Sequence, residues 1–254
     1  ARGRRVTTMS EGRAAARHAL VSSQLAARGI DDERVLDAMR RVPRHEFVPE
    51  ALAGFAYEDQ PLPIGHGVTI SQPYIVAYMT QALELAPIDR VLEVGTGSGY
   101  ITACLDWLSD EVTSIEIHES LSNQAREHLA AFGIVDVMLL VDDVFDYPFG
   151  DPFDVIAVTG SLPVATDYFE QLLTEGGRLF QVVGQGASAK AQLVTRIADD
   201  VFQREELFET ALPPLLLGTA AVTVLFGLQS CLEAPDPADA AADADPRRPV
   251  LLVC

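Results

Sequence analysis

The chain has 254 residues, 48% of them hydrophobic, which is enough for a sizeable core, and its length suits one α/β domain with additions. Its 18 basic and 37 acidic residues give a formal charge of −19, which argues against wrapping nucleic acid or coating an anionic membrane, since both need basic surface. Cys104, Cys231 and Cys254 stand far apart with no CxxC, so no disulfide framework and no metal cluster are expected, and a reducing cytoplasm is the default compartment.

The first third reads as helical. Ala1–Arg17 is polar and Arg-rich, without the apolar centre of a secretory signal. Ser10 is placed to cap a helix that reaches Arg28 and stops at Gly29. Asp31 caps a second helix, with Val35, Leu36 and Met39 on one face, ending before Pro43. Pro43–Gly67, rich in Pro, Gly and aromatics, reads as a long irregular segment, and loops of that size are often functional. Pro73 suits the first turn of a helix reaching Leu85.

From Arg90 short apolar runs alternate with amphipathic segments. Strands are expected at Arg90–Val94, Val112–Glu116, Val135–Val141 and Phe153–Val158, and helices at Tyr100–Leu108, Glu119–Phe132 and Val164–Leu173. Gly176 and Gly177 turn into a strand over Arg178–Val183. This rhythm predicts an α/β fold with a mostly parallel sheet and helices on both faces. Ala191–Ile197, Val201–Glu209 and Thr219–Leu228 read as strands that fit an antiparallel sheet edge. Leu212–Leu232 carries no charge and is long enough to cross a bilayer, but Pro213, Pro214 and its β-branched residues suit a turn followed by a buried strand. Glu233–Pro249 holds five acids, four prolines and six alanines, a composition that predicts a disordered tail.

The strongest local signal is Val91-Leu92-Glu93-Val94-Gly95-Thr96-Gly97-Ser98-Gly99-Tyr100, an apolar strand running through three alternate glycines into a helix. Such glycines let backbone turn sharply and approach a ligand closely beyond the carboxyl end of the strand. The spacing is neither GxGxxG nor a P-loop. An acid at Glu93 would repel a pyrophosphate but suits a cationic amino acid, which points to S-adenosylmethionine. Glu116, 23 residues on at the end of the next strand, is placed to accept ribose hydroxyls. Asp142 and Asp143, after the third strand, are candidates to accept from an adenine amino group, or simply an acidic loop. Their neighbours lack the ligand periodicity of a calcium loop. Ser71, before Pro73, either caps a helix or orients an oxygen of a bound molecule.

Four segments together resemble the protein-L-isoaspartate O-methyltransferase family: Arg41–Pro49, Ala56–Gly65, Thr69-Ile70-Ser71-Gln72-Pro73, and Val91–Tyr100. The match runs in register from about Gln24 to Gly184. The resemblance implies a Rossmann-like class I methyltransferase with a seven-stranded sheet and an N-terminal helical extension. It also implies S-adenosylmethionine as donor, S-adenosylhomocysteine as product, and isoaspartyl peptides or proteins as substrates, in a repair role. It implies Ser71 at the catalytic centre. Cofactor contacts are implied for Thr69, Ile70, Ser71, Glu93, Gly95, Thr96, Gly97, Ser98, Gly99, Glu116, Asp142 and Asp143. Substrate contacts are implied for Asp59, Thr69 and Ser71. The regions expected are a helical and active-site-loop region (1–85), a cofactor-binding core (86–232) and an acidic tail (233–254), in a cytoplasmic monomer without nucleic-acid or membrane partners.

The chain departs from the family pattern where Val141-Asp142-Asp143 replaces Gly-Asp-Gly, and where Ala211-Leu212-Pro213-Pro214-Leu215 stands in place of a Phe-Val-Pro-Leu stretch. Those departures leave two alternatives open: an aspartate O-methyltransferase dedicated to one partner peptide, and a binding protein that keeps the cofactor fold without catalysis.

Overall fold

A computed structural model describes residues 12–216. Ser10, Cys231, Cys254, the strand expected at Thr219–Leu228 and the acidic tail lie outside the described residues. The first described helix, α1 (residues 12–19), widens into a π turn at Leu20–Leu25 and then tightens into a 3-10 turn at Ala26–Arg28. Gly29, at φ 88°, ends it. Helix α2 (Glu33–Arg41) is capped by Asp32, whose carboxylate accepts from the amides of Arg34 (2.8 Å) and Val35 (3.4 Å). Asp31, the expected cap, sits one residue too early. The amides of Asp31 and Asp32 both donate to Gln81 Oε1, which sets the register of the turn.

Pro43–Gly67 is more ordered than its composition suggests. It forms 3-10 turns at Arg44–Phe47 and Glu50–Phe55, then enters a β-hairpin of β1 (Leu62–Gly65) and β2 (Val68–Ile70). The two tip residues, His66 and Gly67, have φ of 49° and 74°, the left-handed backbone that a tight hairpin loop needs. Helix α3 (Pro73–Ala82) follows, with Pro73 in its first turn and Gln72 at the N-cap position. Ser71 therefore does not cap it.

The main sheet consists of β3 (Arg90–Val94), β4 (Glu111–Glu116), β5 (Met138–Val141), β6 (Phe153–Leu162), β7 (Leu173–Val183), β8 (Lys190–Ala198) and β9 (Val201–Glu209). Its order is β5-β4-β3-β6-β7-β8-β9. The first five are parallel, and β8 and β9 form an antiparallel edge. Helices α4 (Tyr100–Leu108), α5 (Glu119–Ala131) and α6 (Tyr168–Gln171) lie in the crossovers. Alternate residues of each strand enter different cores: Val91, Val155 and Phe180 pack with α2, α3 and α4, while Leu92, Ile156 and Leu179 pack with Phe169 of α6. Burial on both faces explains why Val91 and Leu92 of β3 and Val155–Val158 of β6 are apolar at consecutive positions.

Two expectations are corrected at the far side of the sheet. Helix α6 is only four residues long, because β6 continues to Leu162 and β7 already begins at Leu173. Gly176 and Gly177 do not precede a strand but form a bulge inside β7. The pairing with β6 jumps there from Phe153↔Leu173 to Val155↔Arg178. Among the described residues no helix is long and apolar enough to cross a membrane.

Candidate active site

The sheet has one switch point. From β3 the chain moves outward through β4 to β5, then crosses back to place β6 on the other side of β3. The carboxyl ends of these strands therefore open a crevice, the usual ligand position in such a sheet. A cleft of about 660 Å³ lies there. Its walls come from the glycine loop (Gly95, Gly97), the ends of β4 and β5 (Glu116, Asp142, Asp143), the hairpin (Ile64, Val68, Thr69), the β6 tip (Thr159, Gly160) and the segment Pro213–Leu216.

The glycine loop is held from three sides. Gly95 N donates to Ile115 O at 2.8 Å, and Gly97 N donates to Glu116 Oε2 at 2.9 Å. Thr159 Oγ1 reaches Val94 O and Gly95 O at 2.9 and 2.8 Å. Gly95 is at φ 93°, and a Cβ there would lie 2.5 Å from Thr159 Oγ1, so both backbone and space demand glycine.

Glu93 is fully buried beneath this loop and is not part of the cleft wall. Its Oε2 accepts from Thr102 Oγ1 (2.5 Å) and Ser114 Oγ (2.6 Å), and Ser114 Oγ in turn meets Thr96 Oγ1 at 2.5 Å. Burial pushes the Glu93 carboxyl up to about 8, against the pull of the two hydroxyls. The acid that suggested a cationic ligand is thus a buttress under the loop, reaching Thr96 through one hydroxyl.

Glu116 does line the cleft, with its second oxygen accepting from His118 N at 3.0 Å. Asp142 and Asp143 line it as well. Val141 and Asp143, which stand where the family has glycines, do not take the left-handed backbone that would call for them. The Asp142 amide pairs with Glu116 O at 3.2 Å, and the Asp143 carboxylate accepts from Phe145 N at 3.0 Å. The altered loop thereby keeps its place at the end of β5.

The hairpin lies over the glycine loop. Ile64 Cδ1 comes within 3.2 Å of where a Cβ on Gly97 would stand. At the hairpin tip, His66 stacks on His118 with ring centroids 4.3 Å apart, and His66 Nε2 meets Ser120 Oγ at 2.8 Å. Thr69 faces the cleft, and its hydroxyl is buried without a partner among the described residues. Ile70 is buried and lines neither cavity. Ser71 lines a narrow apolar gap, too tight for a water molecule, with Ile75, Met79, Phe180 and Leu212, and Thr159 belongs to the walls of both the gap and the cleft. Thr96 and Ser98 are buried, and neither they nor Gly99 line the cleft. Asp59 lines neither cavity; it pairs with Arg28 and accepts from Tyr74 N at 2.9 Å, so it braces the start of α3.

The segment that departs from the family pattern at Ala211–Leu215 builds the wall opposite the hairpin together with Thr159 and Gly160, which sequence reasoning missed. Ser161 N donates to Pro213 O (2.9 Å), Leu215 N donates to Ser161 O (2.8 Å), and Ser161 Oγ donates to Leu212 O (3.1 Å). These bonds lay Pro213–Leu216 alongside the β6 tip. The paired prolines were visible, but nothing local tied them to β6. Among the cleft-lining residues three are acidic and none is Lys or Arg, so the cleft favours a cation. Among the described residues no group of three or more His, Cys, Asp or Glu side chains could hold a metal.

A family model for protein-L-isoaspartate(D-aspartate) O-methyltransferase (PCMT) matches residues 15–218. Among curated relatives, a protein-L-isoaspartate O-methyltransferase of Methylorubrum extorquens is 46% identical over 85% of this chain and 96% of its own length. Another, from Opitutus terrae, is 54% identical over 71% of this chain and 78% of its own. A crystal structure from Plasmodium falciparum, described as a putative protein-L-isoaspartate O-methyltransferase in complex with S-adenosyl-L-homocysteine, aligns with a TM-score of 0.69 at 26% identity, covering 78% of this chain and 97% of that one. With the family's motifs set around one cleft at the sheet's switch point, the chain belongs to the protein-L-isoaspartate (D-aspartate) O-methyltransferase family.

Proposed function

We propose that this protein transfers a methyl group from S-adenosylmethionine to the side-chain carboxylate of an isoaspartyl residue in a protein or peptide. The observation that carries this reading is the cleft itself: glycine backbone, three carboxylates, no cationic side chain, and Ser71 behind the shared wall at Thr159. These features fit a cationic nucleoside, and the unpartnered Thr69 hydroxyl is a polar atom that a ligand would satisfy. When bound, S-adenosylmethionine supplies an electrophilic methyl group on a sulfonium.

In this reading Glu116 holds the ribose hydroxyls and Asp142, with Asp143, faces the adenine. The backbone of Gly95 and Gly97 meets the amino-acid end. Glu93, Thr96, Ser98, Gly99 and Ile70 act by shaping the loops, and Asp59 by bracing α3. A carboxylate substrate is already ionised at neutral pH, so the chain needs no strong general base. Its task is alignment and exclusion of water, effects worth roughly 7–11 kcal/mol in well-oriented systems. Thr69 and Ser71 offer neutral hydroxyls, which hold a carboxylate without quenching it as an ion pair would. The neighbouring backbone nitrogen then attacks the ester carbonyl and, giving up its proton, expels methanol to close a succinimide, which water opens partly to normal aspartate; these steps need no enzyme.

Methyl incorporation into a panel of unrelated isoaspartyl peptides tests the reading. Turnover of several members is expected. Tight cofactor binding without methylation of any peptide would overturn it. Ser71→Ala should lower turnover with little change in cofactor affinity, and unchanged turnover would remove Ser71 from the reaction.

A further inference from the structure

Arg44 is the largest fully buried side chain of the described residues, at 0% exposure. It opens the 3-10 turn after Pro43. Every other described arginine that pairs with an acid does so at the surface or part-buried, whereas Arg44 has no carboxylate within ion-pair distance among the described residues. Burial lowers its pKa only to about 10, so the guanidinium keeps its charge at neutral pH. A buried charge without a counter-ion is costly, and a chain of this acidity has carboxylates to spare. Its retention calls for another task.

The donors show what the task is. Arg44 Nη1 donates to Ser71 O at 2.7 Å, and Nη2 donates to Gln60 O at 3.3 Å. Gln60 lies just before β1 and Ser71 just after β2, so one planar group joins both feet of the hairpin. The guanidinium carbon also lies 5.4 Å from the ring centroid of Tyr100, the first residue of α4 after the glycine loop. A rigid fork of this kind fixes the separation of two carbonyls in a way that the single point charge of a lysine does not. Its charge also polarises the Ser71 carbonyl, directly behind the serine side chain.

We infer that Arg44 is a positioning residue for methyl transfer: by clamping both feet of the hairpin and packing on Tyr100 it holds Ser71 in register with the glycine loop. This rests on the reading of Ser71 given above.

Arg44→Met, Arg44→Lys, Ser71→Ala and the double variant Arg44→Met/Ser71→Ala test this with an isoaspartyl peptide, with S-adenosylmethionine affinity and thermal unfolding measured in parallel. Arg44→Met should fold, because an apolar chain of similar length fills the space. Its cofactor affinity should stay within about two-fold, while kcat falls about 10- to 100-fold, the scale of a misplaced reactive group. Arg44→Lys, which keeps the charge and loses the fork, should show a similar fall and covers the case in which the methionine variant does not fold. In the Ser71→Ala background Arg44→Met should cost little more. An equal fall in both backgrounds would show that Arg44 does not act through Ser71, and would overturn the inference while leaving Ser71 in place. Wild-type turnover in a folded Arg44→Lys or Arg44→Met would also overturn it. A fully active Ser71→Ala would instead remove the premise, an outcome read from that variant alone.

Discussion

Replacing Glu93 by Gln separates the charge of this buried group from its shape. The carboxyl, raised to about 8 by burial, keeps its proton in the folded protein up to that pH, whereas an unfolded chain releases it near 4.5. Between these values the folded state binds the extra proton, so the stability Glu93 contributes is complete below about 4.5 and is lost as pH rises through about 8. Each unit of pH in that window costs about 1.4 kcal/mol, so moving from pH 6 to pH 9 costs the wild type about 2–3 kcal/mol through this group. Gln carries no such proton. Its carbonyl can still accept from Thr102 and Ser114, and its amide takes the place of Oε1, which has no partner among the described residues. Below about pH 4.5 the variant should therefore be less stable by only about 1 kcal/mol, the scale of one unmade hydrogen bond; by pH 6 the wild type has lost about 2 kcal/mol through this proton, so the variant should be the more stable there by about 1 kcal/mol. At pH 9 it should exceed the wild type by about 4 kcal/mol. Urea unfolding of both proteins at pH 6 and pH 9 gives the difference directly, and every other titrating group cancels. Parallel loss of stability in the two proteins would refute the buried-proton argument and place a charged carboxylate under the glycine loop.

Three further outcomes are expected. Gly95→Ala should lose about 2–3 kcal/mol in unfolding experiments, from left-handed backbone on a Cβ residue and from displacement of the Thr159 hydroxyl off Val94 O and Gly95 O; wild-type stability would contradict so close an approach of Thr159 to the loop. Glu116→Ala should weaken S-adenosylmethionine binding about 5- to 150-fold in calorimetry, as for a lost charged hydrogen bond, and equal affinity would refute the ribose assignment. His66→Ala and His118→Ala should each weaken cofactor binding about 2- to 10-fold by freeing the hairpin tip, with the double variant no worse than either; additive losses would show that the ring stack does not couple them.

The Rossmann-like core was legible because each crossover keeps its own periodicity. The bounds of β3, α4 and β9 coincide with those read from the apolar pattern. The hairpin was not legible, because strands of four and three residues containing Pro63 and Gly65 carry too little alternation to stand out from a loop. The shortened α6 and the bulge in β7 follow from how β6 and β7 pair, a tertiary fact that Val164–Leu173 does not encode locally. In the site, spacing singled out Gly95, Gly97, Glu116 and Asp142, and the resemblance singled out Thr69, all of which line the cleft, whereas Thr96, Ser98 and Gly99 do not. Glu93 was placed on the wrong side of the loop, since position along a strand end does not say which face of the turn a side chain enters. Pro213–Leu216 fell in the segment singled out as a departure, but Thr159 and Gly160 were missed because only the bonds around Ser161 bring them to it.

The attachment of Pro213–Leu216 to the β6 tip has a consequence for biosynthesis. During translation the five parallel strands are made before the last wall of the cleft exists, and chains fold in the order in which they emerge. On the proposed reading, the nucleoside meets a recess on the nascent sheet that still lacks this wall, and it gives little help to folding. Its stabilising grip begins when Leu215 and Leu216 leave the ribosome, so a chain stalled short of that point should bind cofactor poorly although its sheet is already built.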